Sequence, residues 1–166
     1  KCAFKNASQL LQDPVQGQTL EVACDASQYG LGAVLFQKVA GQFRYIEFAS
    51  QSLNQAQRNY SATRRELLAV VFALNKFRYY VASAKFRLLT DHRALVYLLT
   101  QEHVNPMLST WLETVLEFNF TIEHIAGVLN VLPDALSRQY PAFLKERAPL
   151  VLSLKKDPVS PVAYLR

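Results

Sequence analysis

The sequence is poor in the residues that anchor several common chemistries. It has only two cysteines, Cys2 and Cys24, and no CxxC pair. That argues against a disulfide framework or a zinc ribbon and favours a reducing compartment. Gly30 and Gly32 give a GxG without the third glycine and opening helix that a dinucleotide fold needs. No GxSxG marks a hydrolase nucleophile elbow. No apolar run reaches the length of a membrane span. The chain opens on Lys1 with no charged-then-apolar leader, so nothing indicates secretion, and a segment of a longer chain is expected.

What is present suits one globular domain. The 166 residues are 51% hydrophobic and 19% charged, enough to build a core without oligomerising, although the oligomeric state itself stays open. Eighteen basic residues against 13 acidic ones give a net charge of +5. That balance is compatible with a polyanionic partner but is shared by many ordinary domains.

Hydrophobic spacing divides the chain into elements. Residues 1–19, with Asp13-Pro14 and Gly17, read as a short helix and connector. Leu20–Cys24 and Gly32–Gln37 are β-forming runs around a Gly-containing break, and "FRYIEFAS" follows the Ala40-Gly41-Gln42 turn as a third antiparallel strand. From Ser61 to Val81 the period changes: Leu67, Val71, Leu74, Phe77 and Val81 recur every three or four residues, which predicts one long amphipathic helix. Phe86–Thr90 is a fourth strand, "RALVYLL" a short helix, and Asn105-Pro106 opens another helix. "FNFTIEHIAG" alternates as a fifth strand, and "NVLPDALSR" closes with a helical turn in which Pro133 suits the first helical position. The order β-β-β-α-β-α-α-β-α predicts an α/β fold with a mixed sheet and flanking helices. Beyond Arg138, Pro141, Pro149 and Pro158 interrupt the pattern, so residues 139–166 read as an extended or partly ordered tail.

Four acids stand at element ends. Asp25 ends the first strand, Asp91 the fourth, Glu66 lies in the first turns of the long helix, and Asp134 opens the last one. Ligands in α/β folds gather where strand ends meet helix N-termini. Carboxylates brought together there repel one another, and a divalent cation relieves the repulsion. Oxygen-only ligands favour Mg²⁺ or Mn²⁺ over zinc, and several carboxylates can hold two ions about 3.5–4 Å apart for phosphodiester chemistry. Each acid has a structural explanation as well. Thr63 and Glu66 have capping-box spacing, Asp134 complements a helix dipole, and Asp91 could cap the helix after it. Asp25 fits such an explanation least, because a lone acid at the end of an apolar strand is costly to bury.

"CDASQYGLGAVLFQ", "RNYSATRRELLAVVFALNKFRYYV", "FRLLTDHRAL" and "GVLNVLPDALSR" together resemble the ribonuclease H domain of gypsy-type LTR retrotransposon reverse transcriptases, in order and at ordinary spacing, from about Leu20 to Arg138. The N-terminal "CAFKNASQLLQDPV" is similar to the end of the segment joining polymerase to ribonuclease H in such polyproteins, and the tail would lead towards the integrase. The resemblance implies a ribonuclease H-like fold, a five-stranded mixed sheet flanked by helices, occupying residues 20–138. It implies a two-metal site with Mg²⁺ or Mn²⁺ held by Asp25, Glu66, Asp91 and Asp134, with Asp25 bridging the ions. One ion would activate the attacking water and the other would steady the departing 3′ oxygen.

The implied reaction is hydrolysis of the RNA strand of RNA–DNA hybrids, leaving 5′-phosphate and 3′-hydroxyl ends. The implied partners are the hybrid and the polymerase portion of the same polyprotein, in an intracellular, cytoplasmic virus-like particle. Two departures, Pro133 before the last aspartate and Cys24 where threonine is common, are expected to be tolerated. His124, ten residues before Asp134, matches an auxiliary histidine of many ribonucleases H, but a packing role on its strand is preferred. His92 and His103 read as structural. Ser27, Gln28, Arg93 and Arg138 are candidate substrate contacts, whereas Arg58, Arg64, Arg65 and Arg78 read as solvated helix faces. No separate basic helix is present to grip the hybrid, so binding by the isolated domain is expected to be weak and salt-sensitive. A second reading, from a different class, is a catalytically silent ribonuclease H-like module serving as spacer or binding unit. The survival of all four acids favours activity.

Overall fold

Leu20–Ala26 forms β1 at the centre of a mixed sheet in a computed structural model that describes residues 11–100, 108–127, 130–139 and 151–154. β2 (Gly30–Val39) and β3 (Gln42–Ser52) complete an antiparallel meander with it. Ala40 and Gly41 both take positive φ, 51° and 79°, as a two-residue hairpin turn whose twist matches the strands requires. β4 (Phe86–Thr90) pairs parallel to β1, and β5 (Phe120–His124) pairs parallel to β4. The five strands run β3-β2-β1-β4-β5, the mixed sheet that the sequence predicts. A sixth, β6 (Val151–Leu154), lies in the segment read as a tail and pairs antiparallel to the outer edge of β3.

The helices depart from expectation in detail. An unanticipated single turn, α1 (Gln55–Arg58), is nucleated by a capping box between Asn54 and Gln57. The predicted long helix divides into α2 (Ala62–Lys76) and α3 (Arg78–Val81), because Phe77 leaves helical geometry at φ −95° and ψ 10°. Phe77 is wholly buried there, so its packing outweighs helical continuity. α4 (Arg93–Thr100) and α5 (Ser109–Leu116) follow; the expected start at Asn105-Pro106 lies outside the described residues, as do the first ten residues, His103 and the tail prolines. In α6 (Val131–Ser137), Pro133 is the third residue and not the first. Its missing N–H costs little there, since the first-turn N–H groups have no partner within a helix.

The sheet separates two cores. On one face Leu67, Val70 and Leu74 of α2 pack with Val22, Leu31, Leu35, Phe86, Leu88 and the α5 residues Leu112 and Val115. Burying each such side chain stabilises the fold by roughly 1.5–3 kcal/mol before entropy is counted. On the other face α6 brings Leu136 against Ala23, Val34, Phe36, Phe48 and Leu89. β2 and β3 shift register between Leu35 and Phe36. The extra residue at this bulge reverses the alternation of β3, so Tyr45 and Phe48 reach one face with ring centroids 5.4 Å apart.

Candidate metal centre

Strand register alone brings two of the acids together. β1 and β4 are parallel neighbours with Ala23 opposite Leu89, so two residues further along both chains reach Asp25 and Asp91 at the same end of the sheet. Glu66 comes from α2, whose N-cap is Ser61, accepting from the Arg64 N–H at 3.3 Å. The capping-box alternative for Thr63 and Glu66 is thereby removed: Thr63 instead places Oγ1 3.0 Å from Nε2 of His92, and Glu66 points inward. Asp25, Glu66 and Asp91 each offer a carboxylate oxygen, and these oxygens lie within 4.8 Å of one another. Glu66 accepts from the Ala26 backbone, yet its Oε2 is buried without a hydrogen-bond partner. Three converging hard oxygens, with a buried Glu66 oxygen left unsatisfied, fit a divalent cation of the Mg²⁺ or Mn²⁺ kind.

Electrostatics register the crowding. Burial, then Asp25 and Asp91, push the Glu66 carboxyl up to about 8. The Asp25 carboxyl is also raised, chiefly by burial with Asp134 and Asp91 adding to it, against a Ser137 hydrogen bond and Arg138. Burial, then Glu66, Asp25 and Asp91, push the Cys24 thiol well up, so it stays protonated as a small core residue.

Asp134 is placed differently. It is not one of the three clustered acids, and its carboxylate is paired with the Arg138 Nε on the next turn, with side chains 42% and 68% exposed. Its helix is fastened beside Asp25. The Ser137 hydroxyl donates to Asp25 Oδ2 at 2.5 Å, the Ser27 hydroxyl donates to the Ser137 carbonyl at 2.6 Å, and Asn130 Nδ2 donates to the Cys24 carbonyl at 3.2 Å. Gly32, opposite Asp25 in register, makes the approach possible. A Cβ there would lie 2.2 Å from the Pro133 carbonyl oxygen and 2.7 Å from the Ser137 nitrogen. Sequence reasoning passed over Ser137, Asn130 and Gly32. The signal for Ser137 was its position three residues after Asp134, on the same side of a helix.

The remaining candidates spread out. The Ser27 hydroxyl is engaged in its own turn, accepting from the Gly30 N–H at 2.9 Å, while Gln28 beside it is exposed. Arg93 is exposed at the start of α4 and lines an open cavity with Val96, Tyr97 and His124. His124 ends β5 and donates Nε2–H to the Asp91 carbonyl at 3.1 Å, so it buttresses the turn that carries Asp91. Three arginines read as solvated are instead half-buried. Arg64 stacks on Tyr60 at 3.9 Å and lies 5.3 Å from the Trp111 ring, Arg58 lies 5.5 Å from the Tyr29 ring, and Arg65 donates to the Tyr60 carbonyl. Aromatic neighbours, Tyr60 close in sequence and Tyr29 and Trp111 distant, override the solvated-face expectation. Arg78 remains exposed and pairs with Glu117.

A sheet of this order with helices on both faces is the ribonuclease H fold. Two solved structures share it: ribonuclease H1 from Halobacterium salinarum NRC-1 (TM-score 0.54, 18% identity, 71% of this chain and 93% of that one) and the foamy viral protease-reverse transcriptase in complex with RNA/DNA hybrid (TM-score 0.57, 18% identity, 86% and 19%). Residues 16–118 match the RNase H-like domain found in reverse transcriptase, and the chain belongs to that family. Its relatives are retrotransposon polyproteins. It is 34% identical over 133 residues to the retrovirus-related Pol polyprotein from transposon opus of Drosophila melanogaster, covering 80% of this chain. It is 39% identical over 119 residues to the transposon Tf2-3 polyprotein of Schizosaccharomyces pombe, covering 69%. The chain spans only 13% and 9% of those two polyproteins. Among the described residues, no helix is long and apolar enough to cross a membrane.

Proposed function

We propose that this domain, residues 20–138, is a metal-dependent endoribonuclease that cuts the RNA strand of RNA–DNA hybrids during retrotransposon reverse transcription. One observation carries the reading: carboxylates from β1, α2 and the β4–α4 turn converge within 4.8 Å, with a buried Glu66 oxygen lacking a partner. Asp25, Glu66 and Asp91 would hold divalent ions, and Asp134, at the rim, would complete the set for a second one. Bound Mg²⁺ or Mn²⁺ supplies a Lewis acid that activates water and offsets charge on a phosphodiester. The chain itself fixes the donors in place before substrate arrives and holds Cys24 neutral behind them. Exposed Arg93 and Arg138 stand beside Asp91 and Asp134, where the cleaved strand's phosphates would lie, and Gln28 stands beside Asp25. The polymerase portion of the polyprotein would supply much of the grip on the duplex, and a virus-like particle would be the setting.

The test is incubation of the domain with a labelled RNA–DNA hybrid in Mg²⁺, Mn²⁺ or EDTA. Metal-dependent cutting of the RNA strand that disappears in Asp25→Asn is the expected result. No cutting with either metal, by protein shown to be folded, would assign the chain instead to the silent modules of this fold.

A further inference from the structure

We infer that Ser137 is the positioning residue of the metal centre, fixing the Asp25 carboxylate and, with the same residue, the helix that carries Asp134. The inference rests on the metal-centre reading above and extends it to a residue outside the acidic set. Ser137 is completely buried, and its Oγ lies 2.5 Å from Asp25 Oδ2 and 2.9 Å from the Asp134 carbonyl. A hydroxyl has a single proton to donate. The shorter distance and the charged acceptor direct it to Asp25, because hydrogen bonds to carboxylates are shorter and stronger than those to neutral carbonyls. The Asp134 carbonyl already accepts from the Arg138 N–H at 3.1 Å.

The geometry matters because of what surrounds Asp25. Glu66, Asp91 and, more openly, Asp134 stand near it with like charge, and without a counterweight the Asp25 side chain is driven out of its place among them. Ser137 holds one carboxylate oxygen from the α6 side. Its backbone carbonyl is in turn held by Ser27, and its backbone nitrogen sits against Gly32, so the hydroxyl cannot drift from its target. Hydrogen-bond partners of this kind orient ligating carboxylates, and their loss typically costs about 10–100-fold in metal affinity or activity.

The competing explanation is that Ser137 merely clamps α6 to the sheet. Asn130→Ala separates the two, since Asn130 clamps the same helix through the Cys24 carbonyl and hydrogen-bonds no carboxylate among the described residues. Mn²⁺ titration by calorimetry on the full chain, with thermal unfolding in EDTA, compares wild type, Ser137→Ala, Ser137→Thr and Asn130→Ala. Ser137→Ala adds no bulk and favours helix, so it is expected to fold. Its Mn²⁺ dissociation constant should rise about tenfold or more, with kcat on the hybrid falling in step and KM unchanged. Ser137→Thr should recover most of the binding. Asn130→Ala should lower the unfolding temperature while leaving Mn²⁺ affinity within about twofold. Unchanged binding in Ser137→Ala, or equal weakening in Asn130→Ala, overturns the inference while wild-type binding and cleavage stand. A wild-type protein that neither binds Mn²⁺ nor cuts the hybrid overturns the metal-centre reading and this inference with it.

Discussion

Asp25, Glu66 and Asp91 are brought together by the sheet and by the helix packed on its larger core, whereas Asp134 arrives from the opposite face on a seven-residue helix. The backbones of the first three are placed by strand register and core packing, which few single substitutions disturb. The fourth depends on a docking joint made of Gly32, Ser27, Asn130 and Ser137. A cation site can therefore persist in part when the joint is broken, while a complete site needs both halves.

Asp25→Asn strikes the first half directly. Cleavage of a labelled hybrid should fall well beyond the roughly 10–100-fold expected for losing an outer partner, with Mn²⁺ binding weakened in calorimetry. Gly32→Ala strikes the joint. Its Cβ would collide with backbone atoms of α6, which cannot step aside as a side chain tip can. A loss of about 1–3 kcal/mol is expected from such overpacking, read as a lower unfolding temperature, with cleavage reduced and Mn²⁺ binding by the three-acid cluster weakened but not abolished. Asp134→Asn should cost less in Mn²⁺ affinity than Asp25→Asn, because Asp134 is 42% exposed and already balanced by Arg138.

A separate effect is on stability against pH. Asp25 and Glu66 are both raised, so the metal-free folded protein keeps protons that the unfolded chain releases. Stability is then fullest below the ordinary Glu66 value of 4.5 and is lost as pH rises through about 8. Unfolding temperatures in EDTA should decline over that window, and Glu66→Gln should flatten the decline. A rising unfolding temperature across the same range would contradict it.

Much of this was legible in the sequence, for local reasons. The alternation of β1 and the three-four spacing of Leu67, Leu74 and Phe77 report one buried face each, and the acids stood out by interrupting such patterns. The bulge after Leu35 was hidden because either register satisfies a run of apolar residues. The break at Phe77 was hidden because Phe77 continues the helical stripe while its backbone leaves it. Arg64 looked solvated although Tyr60, on which it stacks, is only four positions before it; Trp111, the other ring beside it, lies 47 positions away. Ser137 was overlooked for a related reason. Its spacing from Asp134 marks a shared helix side but does not name the partner on β1 that gives the hydroxyl its target.

β6 has a consequence for how the domain can be handled. Phe48–Gln51 of β3 already pair with Leu154–Val151, so that margin of the sheet is occupied from within the same chain. A version shortened to end at residue 139 would uncover a row of backbone donors and acceptors on Phe48–Gln51, in a strand that also carries Phe43, Tyr45 and Ile46. Such a margin recruits other strands. A shortened protein should therefore self-associate more than the full chain, although none of its carboxylates has been touched.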